Sequence, residues 1–320
     1  MENKFLVSMS PHIHEKEGIS GIMLDVLIAL FPACMAGIYY FGFRASLVIL
    51  TAIASSVLFE YLYQKFMKKK ITTRDLSAMV TGVLIGLNMP PSIPLWMVVV
   101  GSGFAIIIVK QLYGGIGKNF MNPALAARCF MLVAWAGAMS TFSEPGMPDV
   151  ISGATPLGVM KGVTDGNIPT VNSAFWGGIP GCIGETSAFA LIIGFVYLLV
   201  RRVISWKIPV TFIAVFGVLT YFFGKNATNM PALDYTLLQV FSGGLMLGAI
   251  FMATDYTTTP TTPSGLFIFG TGCGILTFLF RNFGGYPEGV SFAILLMNIL
   301  VPQIDKFTVP KKFGEVGKNA

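Results

Sequence analysis

The sequence predicts an all-α polytopic membrane protein of about ten transmembrane helices, arranged as an inverted repeat of five plus five. Three observations predict this fold: an apolar composition, division of the apolar residues into blocks, and a pattern that recurs in the second half. Of 320 residues, 54% are hydrophobic and 11% are charged, whereas an ordinary soluble domain is about 25% charged. Mean hydropathy is +0.73. Lipid is therefore the solvent that suits most of the chain.

Ten apolar blocks are candidate membrane spans. A helix needs about 20 apolar residues to cross a hydrocarbon core of about 30 Å. The third block is too short to cross alone, because at about 1.5 Å per residue it covers only about 18 Å. The blocks are Ile22–Phe41, Ala45–Phe66, Leu76–Leu87, Leu95–Leu112, Ala124–Met139, Ile183–Val200, Ile208–Phe223, Leu237–Ala253, Leu266–Phe280 and Val290–Val301.

The basic residues predict the orientation. If the N-terminus is cytoplasmic and the spans alternate, sixteen of the 21 basic residues lie inside; four (Arg44, Lys161, Lys225 and Arg281) lie outside, and Arg128 lies within a span. Cytoplasmic loops carry the excess of Lys and Arg, so both termini are expected in the cytoplasm. Residues 1–21 form a polar arm rather than a cleavable signal peptide, and residues 305–320 form a tail. The basic residues make no single patch for nucleic acid.

An internal repeat predicts the inverted arrangement of residues 22–140 and 181–304. The matching positions lie 169 residues and five spans apart, so the two copies point in opposite directions across the membrane. Chance coincidence of glycines and prolines, which are common in membrane helices, is the alternative. The matched residues are Pro91 and Pro94 with Pro260 and Pro263, Gly101 and Gly103 with Gly270 and Gly272, and Gly115 with Gly284.

Two P-x-x-P elements, at residues 88–94 and 255–263, are expected to interrupt the helices. Proline removes a backbone donor and clashes with the preceding turn. Broken backbone at membrane depth is tolerated only where protein or a water-filled cavity satisfies it. We therefore expect two half-helix elements near the centre, of the kind that lines ligand or ion paths.

Three acidic residues within or beside spans are candidates for an ion path: Asp25, Glu185 and Asp255. A charged group at the centre of a membrane helix costs at least about 2.5–3.5 kcal/mol, so such a group is a functional candidate. The alternative is a structural role, as an interfacial cap or as a partner of Arg128 or Lys110. His12 and His14 are too few for a closed metal site, and the four cysteines are scattered. We predict no metal site and no catalytic residue.

The outer loop, residues 141–180, contains a sequence that suggests a cofactor. Residues 149–155 read D-x-x-S-G-A-T, which resembles the motif at which a flavin transferase attaches FMN to threonine through a phosphoester bond. The resemblance implies that Thr155 is the acceptor and that Asp149, Ser152, Gly153 and Ala154 complete the motif. Two small residues before the threonine give an enzyme access to the turn. We expect Pro156 to block the continuation of a helix and to keep the hydroxyl on a loop.

Further blocks resemble the RnfD/NqrB family: Ser10–His12, Lys118–Ala124, Gly184–Ser187, Met252–Asp255 and Arg281–Gly289. The resemblance implies a urea-transporter-like fold and a role in the bacterial inner membrane. It implies a subunit that relays electrons through covalent FMN, in a complex that couples electron transfer from ferredoxin to NAD⁺ with Na⁺ or H⁺ translocation. The implied partners are RnfA, RnfB, RnfC, RnfE, RnfG and the flavin transferase. A second, non-covalent flavin is left open.

Two other functions remain open at this point. NqrB subunits of the sodium-pumping NADH:quinone reductase carry an extended N-terminal segment that is not present in this sequence, which favours the RnfD branch. A urea-channel-like solute transporter is the alternative outside electron transport. The chain contains no G-x-G-x-x-G after a strand and no Walker A motif, so NAD⁺ and ferredoxin are expected to bind other subunits.

Overall fold

The computed structural model describes residues 18–152, 155–164, 166–225 and 230–309, without the side chains of residues 147–152. His12, His14, Gly153 and Ala154 lie outside the described residues. The described chain is mostly helical, with one antiparallel hairpin.

Thirteen helices and two strands make up the described fold. Helices α3 and α11 each continue into a π-helix, Phe104–Gln111 and Gly248–Met252, and a short 3₁₀ turn, Thr73–Asp75, precedes α2. The elements are α1 Ile19–Phe66, α2 Ser77–Leu87, α3 Leu95–Gly103, α4 Pro123–Ala134, α5 Ala136–Met139, β1 Phe142–Glu144, β2 Met147–Ser152, α6 Pro156–Met160, α7 Val171–Trp176, α8 Ala188–Val200, α9 Lys207–Phe223, α10 Ala232–Phe241, α11 Leu245–Leu247, α12 Pro263–Phe283 and α13 Val290–Thr308.

Helix α1 contains the first two predicted spans. Its 48 residues would reach about 72 Å if straight, about twice the thickness of a hydrocarbon core. Gly42 interrupts it, with φ of 65° and ψ of −156°, a region that only glycine enters readily. The break falls between the predicted blocks that end at Phe41 and begin at Ala45. That these blocks are two separate spans stays a prediction.

The described helices agree with a membrane location. By length and composition, three of them can cross a bilayer: α1, α12 and α13. A fourth span is present if α10 and the segment Leu245–Met252, which are bent by 61° relative to each other, count as one. Five further apolar helices have 10–17 residues, α2 among them, as its short block predicts. The arrangement in ten passes and two inverted halves stays a prediction.

The first P-x-x-P element lies in the core, between α2 and α3. Met89 and Ile93 are fully buried there. The loop between α7 and α8 supplies hydrogen-bond donors for its carbonyl groups. The amide of Ile183 donates to the Met89 carbonyl at 3.0 Å, and the amide of Gly184 donates to the Leu87 carbonyl at 2.7 Å. The prediction that buried broken backbone needs protein partners is confirmed here.

Both second prolines of the P-x-x-P elements begin helices. Pro94 is the N-cap of α3, and Pro263 is the first residue of α12, where a missing amide costs nothing. Helix α1 packs against α2, α3 and α8, while α12 packs against α9 and α13. Helix α13 also contacts α4, so the element that carries Arg128 lies against the second half of the chain.

Candidate functional site

The proposed flavin acceptor is the N-cap of a short helix. Thr155 precedes α6, and its Oγ1 accepts a hydrogen bond from the Gly158 amide at 3.1 Å. Pro156 is the first residue of α6, because its fixed φ suits that position. Thr155 before it has extended backbone, so no helix continues through Thr155 into α6, as expected. The backbone of Asp149 and Ser152 lies in β2, immediately before the turn.

Helix α6 is held against the loop between α12 and α13. Lys161, the residue after α6, donates to the carbonyls of Gly284 and Tyr286, the latter at 2.9 Å. Partial burial and the nearby Lys225 lower the pKa of Lys161. Leu157 is buried against the glycine turn at Gly243. Residues 155–161, the acceptor segment, are therefore held in place by the apolar side chain of Leu157 and by the charged side chain of Lys161.

A cavity of about 940 Å³ lies beside the acceptor segment. It is lined by Pro156, by Glu144 of the hairpin and by Tyr39 and Tyr40 of α1, with further loop residues. Its volume is in the upper part of the range for small-molecule sites, about 300–1,000 Å³. Pro156, the residue after Thr155, thus borders a cavity large enough for a small molecule.

A second cavity, of about 440 Å³, lies at the other end of the first part of α1. Ile19 lines this cavity and Tyr39 lines the first; the 20 residues between them correspond to about 30 Å of helix. This distance matches the thickness of a hydrocarbon core. The second cavity is mostly apolar, with Lys110, Asn119 and Asp255 among its polar lining residues.

A network of buried charges centres on Arg128 in α4. Its Nη1 lies 2.9 Å from Glu185 Oε1 and donates to Asn88 Oδ1 at 2.7 Å. Its Nη2 contacts Glu288 Oε2 and Cys182 Sγ, the latter at 3.6 Å. Glu185 is about 2% exposed, and Arg128 is its ion-pair partner within the described residues. The network therefore holds a deeply buried carboxylate that depends on Arg128 for its counter-charge.

The turn between α10 and α11 brings this network into contact with the acceptor helix. A methyl group placed on Gly243 would lie 2.5 Å from Leu157 Cδ1 and 3.1 Å from Arg281 Nη2. One placed on Gly244 would lie 3.0 Å from Glu185 Oε1 and 3.1 Å from Arg128 Nη1. Because neither residue has a side chain, α6 and the charged groups both approach this turn closely.

A separate buried pair lies near the second cavity. Lys110 Nζ is 3.1 Å from Glu60 Oε1 and donates to Ser77 Oγ at 2.7 Å. Gln111 Nε2 donates to Glu60 Oε1 at 2.7 Å, and both charged side chains are at most 4% exposed. Sequence reasoning missed Glu60, although a lone carboxylate in a long apolar helix is itself a signal.

The three candidates for an ion path have different partners. Asp25 accepts from Tyr197 at 2.8 Å and pairs with Arg201 at 3.1 Å. Glu185 is a partner of Arg128, as the structural alternative anticipated. Asp255 accepts from Thr257 and Thr258 in its own turn. The structure does not gather them into one site, and a role in ion movement remains a prediction for each.

Two aromatic residues of the segment 141–180 differ in exposure. Trp176 in α7 is half exposed, whereas Phe142 in β1 is buried. Among described groups of His, Cys, Asp and Glu, none could hold a metal ion.

A family model decides the relationship: the model of the NQR2, RnfD, RnfE family matches residues 6–314. The chain belongs to this family. It is 44% identical, over 98% of its length and 96% of the relative's, to the D subunit of a Na⁺-translocating ferredoxin:NAD⁺ oxidoreductase complex of Acetobacterium woodii. It is 43% identical, over 98% and 97% of the two lengths, to the D subunit of a proton-translocating ferredoxin:NAD⁺ oxidoreductase complex of Clostridium ljungdahlii.

The D subunit of an ion-translocating oxidoreductase complex of Stutzerimonas stutzeri is 37% identical over 93% of each chain. The first two relatives match this chain almost equally well and are named for different ions. Similarity to them therefore assigns neither Na⁺ nor H⁺ to this family member.

The sequence blocks that resemble the family meet at two places in the fold. Glu185 and Glu288, from two of these blocks, both contact Arg128 beside the acceptor helix. Asn119 and Asp255, from two others, line the second cavity. Four of the five blocks therefore contribute residues to two polar regions of the described fold.

Proposed function

We propose that this chain is the D-type membrane subunit of an ion-translocating ferredoxin:NAD⁺ oxidoreductase complex, and that it carries FMN on Thr155. The family match over residues 6–314 and the named relatives support the first part. The second part is carried by the position of Thr155 directly before Pro156, which lines a cavity of about 940 Å³.

Attachment requires that the Thr155 oxygen form a bond to the flavin phosphorus. In the proposed reaction an activated flavin nucleotide such as FAD is the donor: its pyrophosphate bond breaks, a nucleoside monophosphate leaves, and the hydroxyl proton passes to a base of the transferase. The Oγ1 atom can keep its hydrogen bond from Gly158 after esterification, because the ester oxygen still accepts. When bound, the flavin supplies one- and two-electron redox chemistry.

The chain's own part in this function is to hold the flavin in position. Lys161 holds α6 against the loop between α12 and α13, and Leu157 packs it against the turn at Gly243. Pro156, Tyr39 and Tyr40 line the space beside it. The redox chemistry belongs to the flavin, so no side chain of this chain has to act as a catalyst.

The proposed topology has ten passes in two inverted halves, with both termini cytoplasmic and Thr155 outside. The two cavities, about 30 Å apart along α1, support an outer and an inner site. The inner cavity, with polar groups around an apolar space, is the proposed place for a second, non-covalent flavin. RnfA, RnfB, RnfC, RnfE and RnfG are the proposed partners.

For the ion path we propose the three acidic residues that the sequence singled out. Glu185 is supported by its deeply buried carboxylate, and Asp255 by its place in the inner cavity. Asp25 is close to the inner end of α1 and is held by Arg201. An ion path needs oxygen ligands of this type.

The test of attachment is in-gel flavin fluorescence. Wild-type chain, from cells with a working flavin transferase, is denatured, separated and illuminated with ultraviolet light. We expect a fluorescent band that Thr155→Ala abolishes. Thr170→Ala is the matched control, because Thr170 caps α7 in the same outer segment and accepts from the Ser173 amide. Each variant loses one cap, about 1 kcal/mol, so only the acceptor chemistry distinguishes them.

A dark wild-type band would contradict the flavin proposal and would favour a solute channel of the same fold. A band that persists in Thr155→Ala would place the flavin elsewhere. In the intact complex, the acceptor assay is the second test: reduction of NAD⁺ by reduced ferredoxin supports the proposal, and oxidation of NADH by quinone supports an NqrB-like subunit.

A further inference from the structure

A chain of polar contacts starts at the acceptor helix. Lys161, which follows α6, donates to the carbonyls of Gly284 and Tyr286 in the loop between α12 and α13. The same loop carries Glu288, whose carboxylate contacts Arg128. A displacement of α6 therefore acts on a loop that is itself ion-paired to the interior.

The chain of contacts continues from Arg128 to both interrupted helices. Its Nη1 donates to Asn88 Oδ1, the C-cap of α2 at the first P-x-x-P element. Asn88 Nδ2 in turn lies 3.6 Å from Met252 Sδ. Met252 ends the π-helix just before the second P-x-x-P element. One guanidinium thus connects the loop between α12 and α13 with the ends of two interrupted segments.

Close packing at the turn between α10 and α11 also connects α6 with Arg128. Gly243 has φ of +70°, and its missing side chain leaves Leu157 of α6 and the Arg281 guanidinium next to the same backbone. The following residue, Gly244, is next to Arg128 and Glu185. This turn is the point at which α10 and the segment Leu245–Met252 bend by 61°.

We infer that Arg128 is the positioning residue that ties the flavin-bearing segment to the two interrupted helices, so that a change of charge on the flavin alters the arrangement of these helices. The inference rests on the proposed function. Coupling requires a structural element that contacts both the flavin-bearing segment and the interrupted helices. The relative free energies of its two arrangements must also depend on the flavin charge. Arg128 and its ion pairs are the proposed element. Ion pairs in the interior are weakly screened, so a nearby electron shifts their balance.

Lysine cannot replace arginine in this role. The planar guanidinium directs several donors at once, here to Asn88, Glu185 and Glu288. A lysine ammonium on a flexible stem keeps the charge but not this fixed geometry. Arg128→Lys is therefore a variant that keeps the buried charge while it disconnects the three elements.

The test is hydrogen exchange of the full chain in its complex, with the flavin oxidised and then chemically reduced. In the wild type we expect reduction to change the exchange of amides at residues 84–89 and 248–258 by about fivefold or more, the lower range of coupling between sites. Thr155→Ala should lose this response because it lacks the flavin. Arg128→Lys should keep the fluorescent band and lose the response, and Arg201→Lys, at the pair with Asp25, should keep both.

A full response in Arg128→Lys would overturn the inference and leave the proposed function standing. A wild type that carries flavin but shows no response would overturn it as well. Absence of the fluorescent band from the wild type would instead reject the proposed function. If Arg128→Lys does not fold, Glu288→Gln replaces it: this side chain is 23% exposed and keeps its shape but loses the ion pair. Flavin attachment without the response in Glu288→Gln supports the inference, and a full response overturns it.

Discussion

Replacement of Arg128 by glutamine should destabilise the fold far more than replacement of a partly exposed arginine. The substitution removes the only cation within 4 Å of Glu185 in the described chain. Glu185 is 2% exposed and Glu288 is 23% exposed at the side chain. The carboxylate of Glu185 is then left buried in the protein without its counter-charge.

The magnitude follows from the distance and the burial. At 2.9 Å the pair with Glu185 has a Coulomb energy of about 6 kcal/mol for an effective dielectric constant of about 20. Part of this offsets desolvation of the two charges, and loss of one partner from a buried pair costs about 3–5 kcal/mol. At about 2–4 °C per kcal/mol, the melting temperature should fall by roughly 10 °C.

Thermal unfolding of the purified chain in one detergent measures this loss. Arg201→Gln is the control, since its side chain is 50% exposed and its pair with Asp25 should contribute no more than about 1 kcal/mol. The double variant Arg128→Gln with Glu185→Gln should recover at least half of the loss, because it removes the unpaired charge as well. Equal melting temperatures for the two single arginine variants, or no recovery in the double variant, would refute the reasoning.

Three other predictions concern the buried Lys110–Glu60 pair, backbone strain at Gly243 and the membrane orientation of the segment 141–180. Lys110→Met leaves Glu60 buried without its cation and should cost about 3–5 kcal/mol; a melting temperature within about 2 °C of wild type would contradict the estimate. Gly243→Ala should cost about 1–2 kcal/mol in backbone strain alone, at φ of +70°, whereas Gly137→Ala meets no atom within 4 Å; equal stability of these two variants would exclude strain at the turn. The exposed Asn167, changed to cysteine, should react with a membrane-impermeant maleimide from the outside of intact cells lacking an outer-membrane barrier; labelling only after lysis would reverse the orientation.

Local features of the fold were predictable because their causes are local. The break of α1 at Gly42, the short α2 and the helix starts at Pro94 and Pro263 all follow from block length and from the backbone of glycine and proline. Pro156 shows the limit of such reasoning. A proline that cannot continue a helix is also suited to begin one, and only the structure shows that α6 follows.

The buried networks were not predictable, because their members are far apart in sequence. Arg128 and Glu288 are separated by 160 residues, and no spacing rule joins them. Glu60 and Lys110 are 50 residues apart in different apolar segments. The sequence marks each ionisable group as costly in lipid, and tertiary packing decides which groups neutralise each other.

Mass spectrometry of the native peptide that spans Thr155 tests the central claim most directly. The account predicts a peptide heavier than its amino acids by one FMN less one water, with fragment ions that place the addition on Thr155. A native peptide of unmodified mass, from cells that contain an active flavin transferase, would contradict the account.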